Sequence, residues 1–439
     1  MANCFWLRKP SKGRLITRAP SSAAIRAVLS VECESTTTTS SQNAREAMQS
    51  AMRSASLNAI MQADRGVPPP ARGAAAGEPC SDGSEEALMA DTLLFASERY
   101  ALPILQPLAQ ALQAAGYGVH AWFVDGAAGA ALPSPVRMIG LREAVALKPV
   151  AVFSAANWVP TFVSGAKVQL FHGFNVEKRS DERGHFRVRG LFDLYCTQGP
   201  ATTAPFQALA TQAGHFAVVE TGWPKLDPLF RDDAGAAAAM RAPAGGRPVV
   251  MFASTFTERL SAAPHLYDAI AAEIARGDRY WLLTLHPKCA PELFERYRAL
   301  AGPNATFFET EQLVTAQRAA DVLLADTTSV VSEFVVQRKP VVTFRNRAPK
   351  PHMIDFDDPA RLPDMLARAF APDETLKTAI AAYGDAIHPY RDGHSSERVI
   401  EATQALLRGD LGRLRGKPLS SWLRGMQIRR ELGYWGPGA

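Results

Sequence analysis

Short, almost wholly apolar runs that end in a polar or turn residue, separated by stretches of helical periodicity, constrain this chain of 439 residues more than any other feature. In the first half they are TLLFAS, VHAWFV, PVAVFSA, KVQLFHG, DLYCTQG and FAVVETG. In the second they are VVMFAST, YWLLTLHP, ATFFE, VLLADT and PVVTF, with ALPILQPLAQALQAAG, APHLYDAIAAEIARG and APELFERYRALAG among the helical segments. A strand without polar alternation is buried on both faces, which requires a parallel sheet covered by helices and joined by right-handed crossovers. Two doubly wound α/β domains are therefore expected, over residues 89–231 and 249–405. The small, turn-rich stretch 232–248 is the expected linker. In such sheets ligands bind beyond the carboxyl ends of the strands, so those ends are where chemistry is to be sought.

The flanks differ in character. Residues 1–88 are rich in Ser, Thr, Ala and Arg and interrupt every periodicity with STTTTSSQNAR and GVPPPARGAAAGEP, which predicts disorder. Their opening resembles an organelle transit peptide, but Glu32, Glu34 and Glu46 argue against one, and the simpler expectation is a mispredicted extension ahead of a working start at Met89. The formal net charge of +5, without a Lys/Arg stripe interleaved with aromatics, predicts no nucleic-acid partner. No apolar run approaches the roughly 20 residues that span a bilayer. Cys4, Cys33, Cys80, Cys196 and Cys289 follow no CxxC spacing and leave one unpaired, which suits a reducing, cytoplasmic compartment. With neither HExxH nor paired-histidine spacing, no metal is expected.

Several strand ends carry candidate chemistry. His172 in LFHGF and His286 in LLTLHPK close strands in different halves, while His388 and His394 lie in IHPYRDGHSSERV. A lone histidine after a strand is ordinarily a loop or core residue, but two on opposite sides of one expected cleft point to a shared site. Gly173 and Gly222 follow strands directly, where a backbone turns tightly or approaches a ligand. In LLADTTSVVSEF a buried strand stops at Asp326 and a helix starts at once, with Thr327, Thr328 and Ser329 at the junction and Glu333 a turn later. Those hydroxyls either cap the helix or join its unpaired N–H groups in holding a phosphate. There is no GxGxxG and no GxxxxGK[ST], so dinucleotide and P-loop sites are not indicated.

Taken in order, FHGFNVEK, VVETGWPKLDPLF, VVMFASTFTE, LLTLHP, VLLADTTSVVSEFVVQRKPVVTF and HPYRDGHSSERVIEA resemble the motifs of the CDP-glycerol glycerophosphotransferases, the teichoic-acid primases and polymerases. The resemblance spans about Val168 to Thr403 and implies a GT-B fold, two Rossmann-like domains with the active site in the cleft between them. It implies His172 as catalytic base, His286 against the donor pyrophosphate, and Thr328 and Ser329 in place of two adjacent serines that face phosphate. Gly173, Gly222, Thr255, Asp326, Thr327 and Glu333 complete the implied donor site, with Glu333 set either against the ribose hydroxyls or as a first-turn carboxylate favoured by the helix dipole. The family usually has Asp-Tyr-Ser-Ser where this chain has Asp326-Thr327-Thr328-Ser329, and ASTFTE lacks the usual Pro and Arg, which leaves Arg259 or Lys288 as substitutes.

The expected reaction is transfer of glycerol phosphate, or a related polyol phosphate, from a CDP-activated donor to a hydroxyl of a glycan or lipid-linked acceptor, with release of CMP and without a cofactor. A GT-B sugar transferase or nucleotide-sugar epimerase is the first alternative, since fold does not fix function, and a decayed nucleotide-binding module the second. The basic tail 406–439 sets Trp422, Met426, Tyr434 and Trp435 among arginines. It is expected either to lie on an anionic membrane at the inner face of the cell membrane or to pack back onto the first domain.

Overall fold

The computed structural model describes residues 90–436 apart from 125–131, 133–134, 175–185 and 232–234. The expected N-terminal extension and the start of the linker lie outside the described residues. Two parallel sheets account for both halves. The first contains β1 (Asp91–Ala96), β2 (Gly118–Phe123), β3 (Arg137–Met138), β4 (Ala151–Ser154), β5 (Ala166–Gln169), β6 (Leu194–Thr197) and β7 (Ala217–Glu220) in the order β3-β2-β1-β4-β5-β6-β7. The second contains β8 (Val249–Ser254), β9 (Tyr280–Leu285), β10 (Ala305–Phe307), β11 (Val322–Ala325), β12 (Val341–Phe344) and β13 (Met353–Phe356) in the order β10-β9-β8-β11-β12-β13. Counted from the first strand of each domain, the second order is 3-2-1-4-5-6, the Rossmann arrangement, and the first is the same with β7 added beyond β6; the strand order reverses between β1 and β4 and between β8 and β11.

Most strands are where the continuous apolar runs placed them because the central ones are covered on both faces. Every residue of β8, β9, β11 and β12 is buried. The sequence reading missed β3 and β13 for a physical reason: β3 is a two-residue exposed edge, and β13 alternates buried and half-buried positions at the opposite kind of edge. Helix Leu102–Ala114 shows how the covers form, with a proline in its first turn and Ile104, Leu105, Leu108 and Leu112 buried on the stripe that faces the sheet.

The chain does not end in its second domain. After helix Glu374–Ile387 it crosses back, and helix Ser395–Arg408 packs on helix Leu102–Ala114, β5 and β6 of the first sheet. Its apolar face, Val399, Ile400 and Ala402, joins the core that contains Leu94, Leu105 and Val168. The expected limit of the second domain at residue 405 is thus not where the fold divides, because an amphipathic helix carries no label for the sheet it covers. Asp227 makes the crossing specific. Its buried carboxylate accepts from Ser395 N at 2.8 Å, Ser396 N at 2.8 Å and Ser396 Oγ at 2.6 Å, and so caps the returning helix from the first domain.

The tail follows the same path. Helix Leu419–Leu432 buries Ser421, Gly425 and Ile428, and Ile428 joins the core around Phe162, Leu191 and Phe192. Tyr434 stacks on Phe162 at 4.8 Å, and Lys417 pairs with Asp193 at 2.7 Å. The other face, with Leu419, Trp422 and Leu423, is exposed, Trp422 to 61%.

Candidate active site

Strand register assembles the second-domain half of the site. Because Ala253 pairs with Ala325, Ser254 lies opposite Asp326 at the point where the strand order reverses. Asp326 is fully buried there, and accepts from Ser254 Oγ at 2.6 Å, from Thr255 N at 3.1 Å and from Ala262 N at 2.9 Å. Burial raises the pKa of its carboxyl, and these donors oppose the rise by favouring the anion. Asp326 therefore lies beneath the surface, where it ties the end of β11 to the loop after β8 and to the start of helix Ala263–Arg276.

Above it lie the groups able to meet a ligand. Thr327 and Thr328 are half-buried and Ser329 is exposed. Thr327 Oγ1 accepts from Arg347 N at 2.9 Å, which brings the basic loop after β12 to the same place. Ser329 is the N-cap of helix Val330–Val335 but its hydroxyl makes no capping bond, and Thr328 Oγ1 meets Val330 N at 3.5 Å, the outer limit of a hydrogen bond. His286, at the end of β9, is exposed, with Phe256 packed on its ring at 4.5 Å. Its Nδ1 accepts from Lys288 N at 3.1 Å. Partial burial and the Lys288 ammonium lower its pKa, so the neutral ring is favoured.

On the first domain the decisive local feature is strain. Phe171, just beyond β5, has φ +59°, a left-handed conformation that a bulky side chain adopts at a cost of about 1–2 kcal/mol. Its ring is held against Phe206 at 5.1 Å, and its carbonyl accepts from Trp223 Nε1 at 3.4 Å. The turn leaves the next residue, His172, exposed at the carboxyl end of the sheet. Its Nδ1 donates to Ala155 O at 3.3 Å, and Tyr100 packs at 5.3 Å. Gly173 has open space around its α-carbon, and its carbonyl accepts from Gln198 Nε2 at 3.1 Å.

Two expected donor-site residues lie elsewhere. Gly222 has φ +81°, and a Cβ there would sit 2.4 Å from Ser395 Oγ and 3.1 Å from His388 Nε2. It is a glycine because the returning chain packs against it. Glu333 is buried and paired with Lys225 of the first domain. Sequence reasoning passed over Lys225, Phe171, Asn346 and Arg347. Asn346 Nδ2 reaches Asp326 O at 3.4 Å, and no local pattern marks any of the four. Among the described residues no cluster of His, Cys, Asp and Glu is built to hold a metal ion, and no helix is long and apolar enough to cross a membrane.

Hydroxyls and an imidazole at the carboxyl ends of β8, β9 and β11 suit a phosphate-bearing donor, and the family match agrees. Residues 193–404 match the family described as CDP-Glycerol:Poly(glycerophosphate) glycerophosphotransferase. The chain is a CDP-glycerol glycerophosphotransferase-like enzyme. No curated protein matches it. Among solved structures, the wall teichoic acid polymerase TagF superposes with a TM-score of 0.53 at 15% identity, covering 73% of this chain and 90% of TagF. A co-structure of S. aureus MnaA with UDP gives 0.51 at 16% identity, over 75% of this chain and 99% of MnaA. A UDP-N-acetylglucosamine 2-epimerase gives 0.51 at 15% identity, over 75% and 99%. At such identities the likeness is one of fold, and the glycerophosphotransferase-like chain has the GT-B architecture that its motifs imply.

Proposed function

We propose that this transferase moves glycerol phosphate, or a related polyol phosphate, from a CDP-activated donor to a hydroxyl of a glycan or lipid-linked acceptor and releases CMP. One observation carries the reading: the two strand-end histidines are wired in opposite senses. A carbonyl can only accept, so His172 donates from Nδ1 to Ala155 O and carries its lone pair on Nε2. A backbone amide can only donate, so His286 accepts at Nδ1 from Lys288 and carries its proton on Nε2. The first is a base and the second a hydrogen-bond donor.

The step follows. The acceptor oxygen attacks the phosphorus that bears the polyol while its proton passes to Nε2 of His172. The bond from that phosphorus to the bridging oxygen of the pyrophosphate breaks, and CMP leaves with the electron pair. His286 Nε2–H and the hydroxyls of Thr328 and Ser329 donate to the departing phosphate, which is where negative charge develops. Thr255, Thr327 and Gly173 border the space; Asp326 and Gly222 hold the surrounding backbone rather than touch the donor. For a lipid-linked acceptor the exposed Trp422 and Leu423, with Arg430 exposed one face along, favour peripheral attachment to an anionic membrane.

Incubation of the purified chain with CDP-glycerol and with a panel of UDP-sugars tests the reading. Release of CMP with extension of the acceptor is expected. Release of UDP, or inversion of a sugar carbon, would transfer the chain to the sugar-transferase or epimerase reading, and failure to turn over any of them to a nucleotide-binding module.

A further inference from the structure

Among the described residues, Tyr100, Phe256, Trp422 and Trp435 are the aromatic side chains left exposed. The two tryptophans belong to the C-terminal tail. Tyr100 and Phe256, 41% and 45% exposed, each pack on one of the two strand-end histidines. Their addresses match: β1 and β8 are the first strands of their sheets, and the two rings stand in the loops that follow them. A single exposed apolar side chain is ordinary on a protein surface. What marks Tyr100 is its neighbour, His172, whose ring centroid lies 5.3 Å away with the planes 46° apart. Phe95 pairs with Ser154, so Ala96 lies opposite Ala155, whose carbonyl holds His172. Tyr100 therefore borders the crevice where the strand order of the first sheet reverses, the place where such a sheet takes its ligand. Its backbone is anchored on both sides. Ala101 N donates to Glu98 O at 3.2 Å, and helix Leu102–Ala114 follows at once with its buried stripe.

We infer that the exposed ring of Tyr100 receives a sugar ring of the acceptor, so that the hydroxyl brought to His172 belongs to a sugar and not to an open-chain polyol phosphate. An aromatic face is electron-rich. It attracts the C–H groups that line one side of a pyranose and repels the oxygens of a phosphodiester. A flat, rigid ring also gains most from a flat partner, and an extended polyol phosphate has no such face. Tyrosine adds a polar tip for a sugar hydroxyl. The charges of the loop agree. Glu98 and Arg99 are both exposed, and among the described residues neither is paired with an opposite charge. One carboxylate and one guanidinium suit hydroxyl groups as acceptor and donor, while their charges cancel and leave this loop no basic excess to hold a phosphodiester. The assignment of the ring to the acceptor rests on the transfer reaction proposed above. It makes that reaction the addition of a polyol phosphate to a sugar, and not the lengthening of an existing polyol phosphate chain.

Initial rates of the full chain at saturating CDP-glycerol test this, with octyl glycosides of glucose and of N-acetylglucosamine as one set of probes and a synthetic glycerol phosphate trimer as the other. The wild type is expected to extend a glycoside with the higher kcat/KM. Tyr100→Ala should raise KM for that glycoside by about tenfold, the effect of losing one aromatic contact at the upper end of its range, with a smaller change in kcat. Tyr100→Phe keeps the ring and should stay close to wild type. The Kd for CDP-glycerol and the melting temperature should hold in both variants, since the side chain is exposed and lies in the first domain. A fall in kcat for glycoside and trimer alike, with KM unmoved, would show that Tyr100 only steadies His172 and would overturn the sugar contact. Preference for the trimer, or no turnover of either glycoside by a chain that binds CDP-glycerol, overturns it too and leaves the transfer reaction standing. If the chain ignores CDP-glycerol but binds a glycoside in calorimetry, and Tyr100→Ala abolishes that binding, the sugar contact stands and the transfer reaction falls. Absence of both kinds of binding removes both.

Discussion

Lys225 Nζ lies 2.5 Å from Glu333 Oε1, and the pair joins the two domains at the carboxyl ends of their sheets. Lys225 follows β7 of the first domain and Glu333 sits on the helix after β11 of the second. The carboxylate side chain is 4% exposed and the ammonium 21%, so the attraction is only partly screened. The ammonium also lies over the Trp223 ring at 5.3 Å. Glu333, expected against the donor ribose or in solvent, is thus committed to its own chain.

Removing one partner strands the other. Lys225→Met is expected to destabilise the fold by about 2–3 kcal/mol, less than a wholly buried pair because the ammonium keeps some water. Lys225→Met combined with Glu333→Gln should recover a good part of that loss. Urea unfolding of the two variants measures it, and equal stability of single variant and wild type would show the contact to be idle.

The opposed wiring of the histidines separates their substitutions. His172→Ala is expected to lower turnover by roughly two to four orders of magnitude with the donor Kd intact, as loss of a general base does. His286→Gln keeps an N–H donor and should retain more activity than His286→Ala, whereas His172→Gln should rescue nothing. Turnover and donor affinity measured on all four decide it. Rescue at position 172 by glutamine would rule out the base.

Much of the scaffold was legible because burial on both faces leaves a plain mark: the runs at β8, β9 and β11 are almost wholly apolar, and just beyond them come the polar strand ends where His286, Thr255 and Asp326 stand. What could not be read is whatever depends on which strands become neighbours. Asp326 looked like a ligand because it heads a hydroxyl cluster; that it lies under the site, clamped by Ser254, follows from β8 pairing with β11. Gly222 looked like a place for a substrate, yet the group it admits is Ser395 of the returning helix. The left-handed Phe171 has no local signature, since nothing in LFHGF favours positive φ at a phenylalanine.

The hydroxyls at the head of helix Val330–Val335 offer a direct contrast between capping and phosphate contact. Capping by these side chains is nearly absent: Ser329 makes no such bond and Thr328 only one at 3.5 Å. Thr328→Ala with Ser329→Ala is therefore expected to cost less than the typical ~1 kcal/mol of a lost cap, while the Kd for CDP-glycerol rises. Calorimetry and a thermal melt on one preparation supply both numbers. A lowered melting temperature with unchanged affinity would reverse the assignment.

The last prediction concerns acid. His388 is buried where the chain crosses back to the first domain, and its Nε2 accepts from Trp223 N at 3.0 Å, which requires the neutral ring. Burial is the main cause that pulls its pKa down from 6.5 to about 4; nearby backbone contacts oppose the shift, and Arg398 and Asp392 act in opposite senses. Between these values the unfolded chain binds a proton that the folded chain refuses. The sign is therefore fixed: stability is undiminished above about pH 6.5, falls as the pH drops through that window, and levels off below about pH 4 as far as this group is concerned. The affected contact is local, since His388 packs against Phe174, Phe230 and Tyr390 and abuts Gly222, all at the crossing. Urea midpoints taken from pH 7 to pH 4 should fall for the wild type. His388→Gln, which keeps an acceptor for Trp223 N but does not titrate, should start lower at pH 7 and fall less steeply. Parallel slopes in the two proteins would place the acid sensitivity in groups other than His388.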